Sequence, residues 1–115
     1  MAYISADEID IKRKALKTLF PNLKFAVKRD RMSGVIVIIK SGNLDLENLL
    51  AGKLTVTRHF IRDMELGIIR TTLTHIYDII VDGQTYHETS DYGMQPSYYE
   101  SLRIGEYDKP YKMTV

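Results

Sequence analysis

Five consecutive β-branched residues, Val35 to Ile39, constrain the fold more than any other part of the sequence. β-Branched side chains favour extended backbone, and a short run that is apolar at every position is typical of a strand buried on both faces. The preceding segment, Leu23 to Lys28, alternates apolar and polar residues, which predicts a half-buried strand. Only a polar turn, Arg29 to Gly34, separates the two strands, so we expect them to form a hairpin.

Two other segments have the periodicity of amphipathic helices. The first, over residues 5–20, begins with the capping-box pattern Ser5 to Glu8, and its early acidic residues suit the helix dipole. Pro21 ends it, because the residue before a proline avoids helical backbone. A longer helix is expected over residues 63–82, with Gly83 where a C-terminal glycine cap belongs.

The remaining segments complete the predicted topology. Residues 53–61 alternate and predict a third strand, residues 84–96 lack a period and predict a loop, and residues 98–107 predict the last strand. The order helix, three strands, helix, strand predicts a single α+β domain over residues 1–115. Its simplest form is a two-layer fold in which both helices cover one face of an antiparallel sheet of about four strands.

The hydrophobic core is expected between the two layers. The other face of the sheet is expected to be partly exposed and to carry Lys24, Lys28 and some of the threonine, tyrosine and histidine side chains. The expected core residues are Ile9, Leu16, Phe20, Phe25, Val27, Val37, Ile69, Leu73, Ile76 and Ile80.

The chain lacks the residue patterns of the common catalytic and metal sites. It has no cysteine, which excludes a disulfide framework, a thiolate zinc site and a cysteine nucleophile. The histidines have no metal-binding spacing, although His87 with Glu88 and Asp91 is the best candidate for an acid–base or metal cluster. No serine-nucleophile motif or glycine-rich phosphate loop occurs. We therefore expect no enzymatic activity, no cofactor and no metal, and, without a leader or membrane-length apolar run, a cytoplasmic location.

Charge is distributed unevenly along the chain. Residues 1–40 hold nine Lys or Arg against four Asp or Glu, whereas residues 41–115 hold seven against eleven. Ordinary solvated faces can differ in this way, but a basic surface can also bind phosphates. The candidate nucleic-acid contacts are Lys24, Lys28, Arg29 and Arg31, with Lys12, Arg13, Lys14 and Lys17 on the preceding helix.

Tyrosines and acidic residues share the last third of the chain. Tyrosine buries a large area with few rotatable bonds and is frequent at protein interfaces, although it also packs ordinary sheets. This composition predicts a second candidate surface, for a protein partner. Its residues are Tyr92, Tyr98, Tyr99, Glu100, Glu106 and Tyr107.

Segments near both ends of the chain share the pattern of one family. They are Tyr3 to Ala6, Ala15 to Lys17, Phe20 to Phe25, Tyr98-Tyr99 and Ile104 to Tyr111. The resemblance covers the two ends of the chain, roughly a third of its length. Through these segments the chain resembles the large polyvalent protein-associated domain 29, whose small stand-alone relatives are carried by bacteriophages and plasmids. It departs from that pattern at Ser33-Gly34, where relatives have a serine pair, and at Tyr107, where they have tryptophan. The resemblance implies a mobile genetic element in a bacterial host and no catalytic residues.

Two functions are consistent with these features. The first is a non-enzymatic inhibitor of a host defence complex, such as an anti-CRISPR protein, that acts by stoichiometric binding to a defence protein or ribonucleoprotein. The second is a nucleic-acid-binding accessory protein that uses the basic patch of residues 12–31. The acidic and tyrosine surface is favoured for the first function, because acids with aromatics can occupy a basic channel. No membrane partner is expected, and a monomer or a homodimer is equally compatible with the sequence.

Overall fold

A computed structural model describes residues 4–31, 33–44, 46, 55–84, 86–89, 93–96, 98–105 and 111–113. Its elements follow one another as α1 (Ala6–Leu19), β1 (Leu23–Asp30), β2 (Gly34–Gly42), β3 (Thr55–Val56), α2 (Arg58–Arg62), α3 (Ile68–Ile80), β4 (Tyr86–Thr89), β5 (Gly93–Pro96), β6 (Tyr99–Ile104) and β7 (Lys112–Met113).

The β-branched run lies in β2, at the centre of the main sheet. The strand order is β1-β2-β6-β3, and β7 pairs with the end of β2. The expected hairpin is confirmed, since β1 pairs antiparallel with β2 from Leu23 opposite Gly42 to Asp30 opposite Gly34. A strand with neighbours on both sides, one face of which lies against helices, must be apolar at most positions, as this one is.

The α+β class and the two layers are confirmed, but the sheet is mixed rather than antiparallel. β6 pairs in parallel with β2 and antiparallel with β3. Parallel neighbours need a crossover connection, and here the chain between β2 and β6 includes helices α2 and α3. The chain thus returns from α3 into the middle of the sheet, where sequence order alone predicts an edge.

Helix α1 forms as its cap predicts. The Ser5 side chain accepts a hydrogen bond of 3.1 Å from the Glu8 amide, and Ile4 and Ile9 are both buried as a hydrophobic staple requires. The helix ends at Leu19 with Phe20 as its cap, immediately before Pro21. Its apolar stripe packs on β1 and on α3.

The segment between β3 and α3 differs from its prediction. The third strand is only Thr55–Val56, because Thr57 is the N-cap of α2 and its side chain accepts a hydrogen bond of 3.1 Å from the Phe60 amide. The predicted helix over residues 63–82 begins later, at Ile68, after Gly67. Gly83 lies in the turn beyond the helix with φ 84°, a left-handed conformation that favours glycine.

Two predictions for the last third of the chain also differ from the structure. Residues 86–89 and 93–96 form the antiparallel hairpin β4–β5, where a loop was expected. These strands have four residues each, and one contains Gly93 and Pro96, so neither has a detectable period. The last predicted strand, residues 98–107, is observed as β6 and ends at Ile104, before Gly105.

One hydrophobic core joins the helices to one face of the sheet. Of the ten expected core residues, Ile9, Leu16, Val27, Val37, Leu73, Ile76 and Ile80 are buried, and Phe20, Phe25 and Ile69 are partly buried against them. The core also holds Tyr98 and Tyr111. No helix in the described part of the chain is both long and apolar enough to span a membrane.

Candidate binding surface

The register of the strands decides which sheet residues face the helices and which face away. Paired residues project to the same side and successive residues to opposite sides, except at a bulge. The β1–β2 register shifts between Lys24 and Phe25, which reverses the parity of β2 beyond that point, so Ser41 and its partner Lys112 share the side of Lys24. Val27, Val37 and Leu102 are aligned across three strands and all belong to the core, so they define the inner face. The residues of opposite parity form what we call the outer face. They are Lys24, Ala26, Lys28, Asp30, Ile36, Ile38, Thr55, Tyr99, Ser101, Arg103 and Lys112.

The outer face is basic. Its cations are Lys24, Lys28, Arg103 and Lys112, and Asp30 is the acid among its residues. The three lysines are exposed and Arg103 is half-buried. Among the described residues of this face, four cations against one carboxylate give a positive balance that the chain's net charge of +1 does not reveal.

The centre of the outer face is apolar. Ile38 is only 2% exposed, and its register neighbours on the two adjacent strands are Ala26 and Arg103. Ile36, one position along the same face, is partly buried. Lysine and arginine side chains can lay their aliphatic stems along such a surface and keep the charged group in water. The outer face therefore combines an apolar centre with a basic margin.

Tyr99 adds an aromatic ring to this face. Its side chain is 51% exposed, and its backbone amide donates a hydrogen bond of 2.8 Å to the Ser33 carbonyl. Its register partner is Gly34, where an added Cβ would lie only 3.2 Å from the Tyr99 carbonyl oxygen. The absence of a side chain at Gly34 thus lets β6 approach β2 closely at this point.

The four predicted nucleic-acid contacts do not all lie together. Lys24 and Lys28 share the outer face, as expected for the exposed side of the sheet. Arg29 pairs with Val35 and so lies on the inner face, where it is half-buried. Arg31 is exposed in the turn, with φ 57°. Arg103 and Lys112 were missed, because strand alternation does not reveal which strands are neighbours.

The helix part of the predicted basic patch lies apart from the outer face. Lys12 is buried, and its Nζ donates to the carbonyls of Ile79 at 3.2 Å and Asp82 at 2.7 Å. Burial lowers the pKa of Lys12, and the nearby charges of Asp82 and Glu8 oppose that shift. Arg13 is tied to the Val27 carbonyl at 2.8 Å and to Asp10. The solvent-exposed cations of this helix include Lys14 and Lys17, on the helix layer.

The three described residues of the predicted tyrosine and acid surface, Tyr98, Tyr99 and Glu100, do not lie on one face of the sheet. Tyr98 is 1% exposed, and its hydroxyl donates to the carbonyls of Ile80 at 2.7 Å and Asp82 at 3.1 Å. Glu100 lies on the inner face and accepts hydrogen bonds from the Tyr77 hydroxyl at 3.0 Å and the Gln84 amide at 2.8 Å. Both residues therefore tie β6 to the end of α3. Tyr92, Glu106 and Tyr107 lie outside the described residues.

The histidines give no metal site within the described part of the chain, where no three His, Cys, Asp or Glu side chains are grouped to hold an ion. His75 packs edge-on against Phe20, with 5.3 Å between ring centroids. His59 is exposed on α2. The suggested cluster of His87, Glu88 and Asp91 depends on side chains outside the described set.

Comparison of the chain with protein-family models, with curated proteins and with solved structures finds no significant match in any of the three. The resemblance to the large polyvalent protein-associated domain 29 thus stays a prediction from the residues that carry it.

Proposed function

We propose that the protein binds single-stranded nucleic acid through the outer face of its sheet and acts by binding rather than by catalysis. The observation that carries this proposal is the register, which aligns Lys28 of β1, Tyr99 and Arg103 of β6 and Lys112 of β7 on one side of the sheet. A basic sheet face with an exposed aromatic ring supplies the two contacts that bind unpaired nucleic-acid strands, phosphate attraction and base stacking.

The geometry favours a single strand over a duplex. A duplex is read by an element that enters a groove, and the described part of the outer face consists of sheet strands with no protruding helix. Adjacent strands of a sheet lie about 4.8 Å apart and successive residues about 3.3 Å. Lys28 on β1 and Tyr99 on β6 are two strands apart and offset by two residues, so they lie about 12 Å from each other across the face. A base stacked on Tyr99 would thus have phosphates of the same strand within reach of the lysine.

The same face also suits the partner expected from the mobile-element resemblance. A host defence ribonucleoprotein holds RNA or DNA, and a protein with this face could engage the nucleic acid of that complex. An inhibitor that blocks the protein part instead could not present Tyr98 and Glu100 to it, because both side chains are committed to internal hydrogen bonds. A pull-down from a bacterial lysate with and without nuclease distinguishes these modes, since only nucleic-acid-mediated capture is lost after nuclease treatment.

Salt dependence of binding tests the proposal directly. Each phosphate neutralised on a single strand contributes about −0.7 to the slope of log K against log salt, so three or four contacts predict a slope of about −2 to −3. The measurement is fluorescence anisotropy with a labelled single-stranded oligonucleotide. The double reversal Lys28→Glu and Arg103→Glu should weaken binding and make the slope shallower by about 1.4 or more.

The matched control is the double reversal Lys14→Glu and Lys17→Glu, which makes the same change in net charge on the exposed side of α1. It should leave both affinity and slope close to the wild-type values. Thermal unfolding of each variant checks that the fold is retained. Equal losses in the two double variants, or no binding by the wild-type protein at low salt, would refute the assignment to the outer face.

A further inference from the structure

A small cavity between α2 and α3 is lined by an unusual concentration of arginine. Its volume is about 200 Å³, and its lining residues are Arg58, Ile61, Arg62, Arg70, Thr74, Tyr77 and Asp78. We propose that this cavity binds a phosphate monoester group, as a second anion site separate from the outer face of the sheet. The proposal does not depend on the sheet-face function.

The local fold brings the three arginines together. Arg58 and Arg62 are four residues apart on α2 and so share one helix face, while Arg70 lies on α3 with Thr74 one turn further on. The Thr57 cap sets the start of α2, and Ile61, which is 5% exposed, anchors that helix in the core. The guanidinium carbon of Arg58 lies 4.9 Å from the centroid of the Tyr77 ring, a cation–π contact that orients this side chain before any ligand binds.

The charges of the lining are unbalanced. In the described part of the chain, Arg13 forms a salt bridge with Asp10. None of the three lining arginines forms a salt bridge with a described carboxylate. Asp78 is the acid among the lining residues, so the lining carries three positive charges against one negative. Like charges brought together raise the free energy of the site, and an anion of charge about −2 would neutralise it.

The hydrogen-bonding groups that the lining offers to a ligand are donors, so the ligand must supply acceptors. The Thr74 hydroxyl donates to the Arg70 carbonyl at 2.7 Å, and the Tyr77 hydroxyl donates to Glu100 at 3.0 Å. Both hydroxyl protons therefore point to protein oxygens. The donors that remain for a ligand are the guanidinium N–H groups, five on each arginine in a fixed planar fork. A ligand that fits must be rich in acceptors and need no donor.

Size and shape select phosphate among the anions. Pockets for whole drug-sized or nucleotide-sized ligands measure about 300–1,000 Å³, which exceeds the 200 Å³ of this cavity. A carboxylate has two oxygens and can satisfy one fork, whereas a phosphate monoester presents three terminal oxygens to three forks. Arg58 and Arg62 are exposed, so the cavity opens to solvent and a phosphate attached to a longer chain can enter. The group can thus come from inorganic phosphate or from the 5′ end of an oligonucleotide.

The first arm of the test is titration of the full chain with inorganic phosphate, at ionic strength held constant with sodium chloride, followed by backbone amide NMR shifts of residues 58–62 and 70–78. Saturable shifts at these residues are expected. The variant Arg58→Gln with Arg62→Gln should weaken binding at least tenfold, because charge-assisted hydrogen bonds are the strong ones. Arg70→Gln should weaken it as well, and this second variant leaves α2 and its contact with Tyr77 intact.

Two control variants separate a built site from general attraction. Lys14→Gln with Lys17→Gln removes the same charge from another exposed helix face and should change the affinity less than twofold. Asp78→Asn removes the acid from the lining and should tighten phosphate binding about two- to fivefold, the usual effect of one exposed charge. A merely structural role for the cluster predicts no gain in Asp78→Asn.

The second arm identifies the source of the phosphate. A 5′-phosphorylated oligonucleotide is compared with the 5′-hydroxyl oligonucleotide of the same sequence. A preference for the phosphorylated end that disappears in Arg58→Gln with Arg62→Gln supports a terminal phosphate, and saturation by inorganic phosphate without that preference supports free phosphate. The proposal is overturned if the wild-type protein shows neither, or if the lysine control loses as much affinity as the arginine variant. Lys28→Glu with Arg103→Glu should keep phosphate binding, so this proposal and the sheet-face proposal fail independently.

Discussion

Adjacent tyrosines at positions 98 and 99 allow a direct test of how β6 is placed. The same chemical change, removal of one hydroxyl, is made in Tyr98→Phe and in Tyr99→Phe. Tyr98 is 1% exposed and its hydroxyl bonds to the Ile80 and Asp82 carbonyls, whereas Tyr99 is 51% exposed on the outer face. The two variants should therefore differ in stability although they differ by one position in the sequence.

The expected magnitude follows from the partners that each hydroxyl leaves behind. In Tyr98→Phe the Ile80 carbonyl loses a donor in a buried environment, and the cost of a buried acceptor left without its hydrogen bond is about 1–3 kcal/mol. The Asp82 carbonyl still accepts a hydrogen bond of 2.7 Å from the Lys12 ammonium, so losing the bond from the Tyr98 hydroxyl to this carbonyl adds little to the cost. In Tyr99→Phe the change takes place at an exposed side chain, where substitutions usually alter stability by less than about 0.5 kcal/mol.

Urea denaturation of both variants, followed by circular dichroism, measures these differences. A loss of 1 kcal/mol shifts the melting temperature of a domain of this size by about 4 °C, so thermal unfolding gives an independent value. The m-value should stay constant, because neither change alters the surface exposed on unfolding. Equal stability of the two variants, or a larger loss for Tyr99→Phe, would show that the assignment of β6 residues to the inner and outer faces is incorrect.

Two further predictions concern the core and its buried cation. Leu73→Ala should lower the unfolding free energy by about 2–5 kcal/mol, because Leu73 is 0% exposed. Leu66→Ala should lower it by less than about 0.5 kcal/mol, because Leu66 is 87% exposed. Similar losses for the two variants in urea denaturation would contradict the placement of α3. Burial lowers the pKa of Lys12 below its ordinary value of 10.5. At pH values between the folded-state pKa and 10.5, the unfolded chain therefore binds more protons than the folded one. The unfolding free energy should rise with pH in that window. Denaturation from about pH 8 to about pH 10 should show a steeper rise for the wild-type protein than for Lys12→Met, and parallel curves would refute the shift.

Local patterns in the sequence predicted the local parts of the fold. The Ser5 cap, the β1–β2 hairpin and the apolar face of α3 each depend on residues close together in the chain, and the structure confirms them. The parallel pairing of β6 with β2 joins residues more than 60 positions apart, and no short-range pattern encodes it. Thr57 shows a different failure. Thr57 fits an alternating strand and a helix N-cap equally well, and in the structure it is the N-cap of α2.

The candidate site was predictable only in part, for the same reason. Alternation along β1 is sufficient to place Lys24 and Lys28 on the exposed side of the sheet, and the structure agrees. Their proximity to Arg103 and Lys112 depends on which strands are neighbours, which alternation does not reveal. The arginine cavity is further from prediction, since it requires a break between α2 and α3 where the periodicity predicted a strand followed by one continuous helix.

Strand parity shows why the tyrosine and acid surface could not have existed as a unit. Successive side chains of a strand point to opposite faces, so Tyr98, Tyr99 and Glu100 cannot all meet one partner once the segment is a strand. The apolar residues Leu102 and Ile104 have even numbers and must face the core, which places Tyr98 and Glu100 on the inner side with them. The odd-numbered residues Tyr99, Ser101 and Arg103 then necessarily face outward. Parity alone therefore assigns an aromatic ring and a cation of β6 to the face that already holds Lys28, and it is this combination that favours a nucleic-acid strand as the partner.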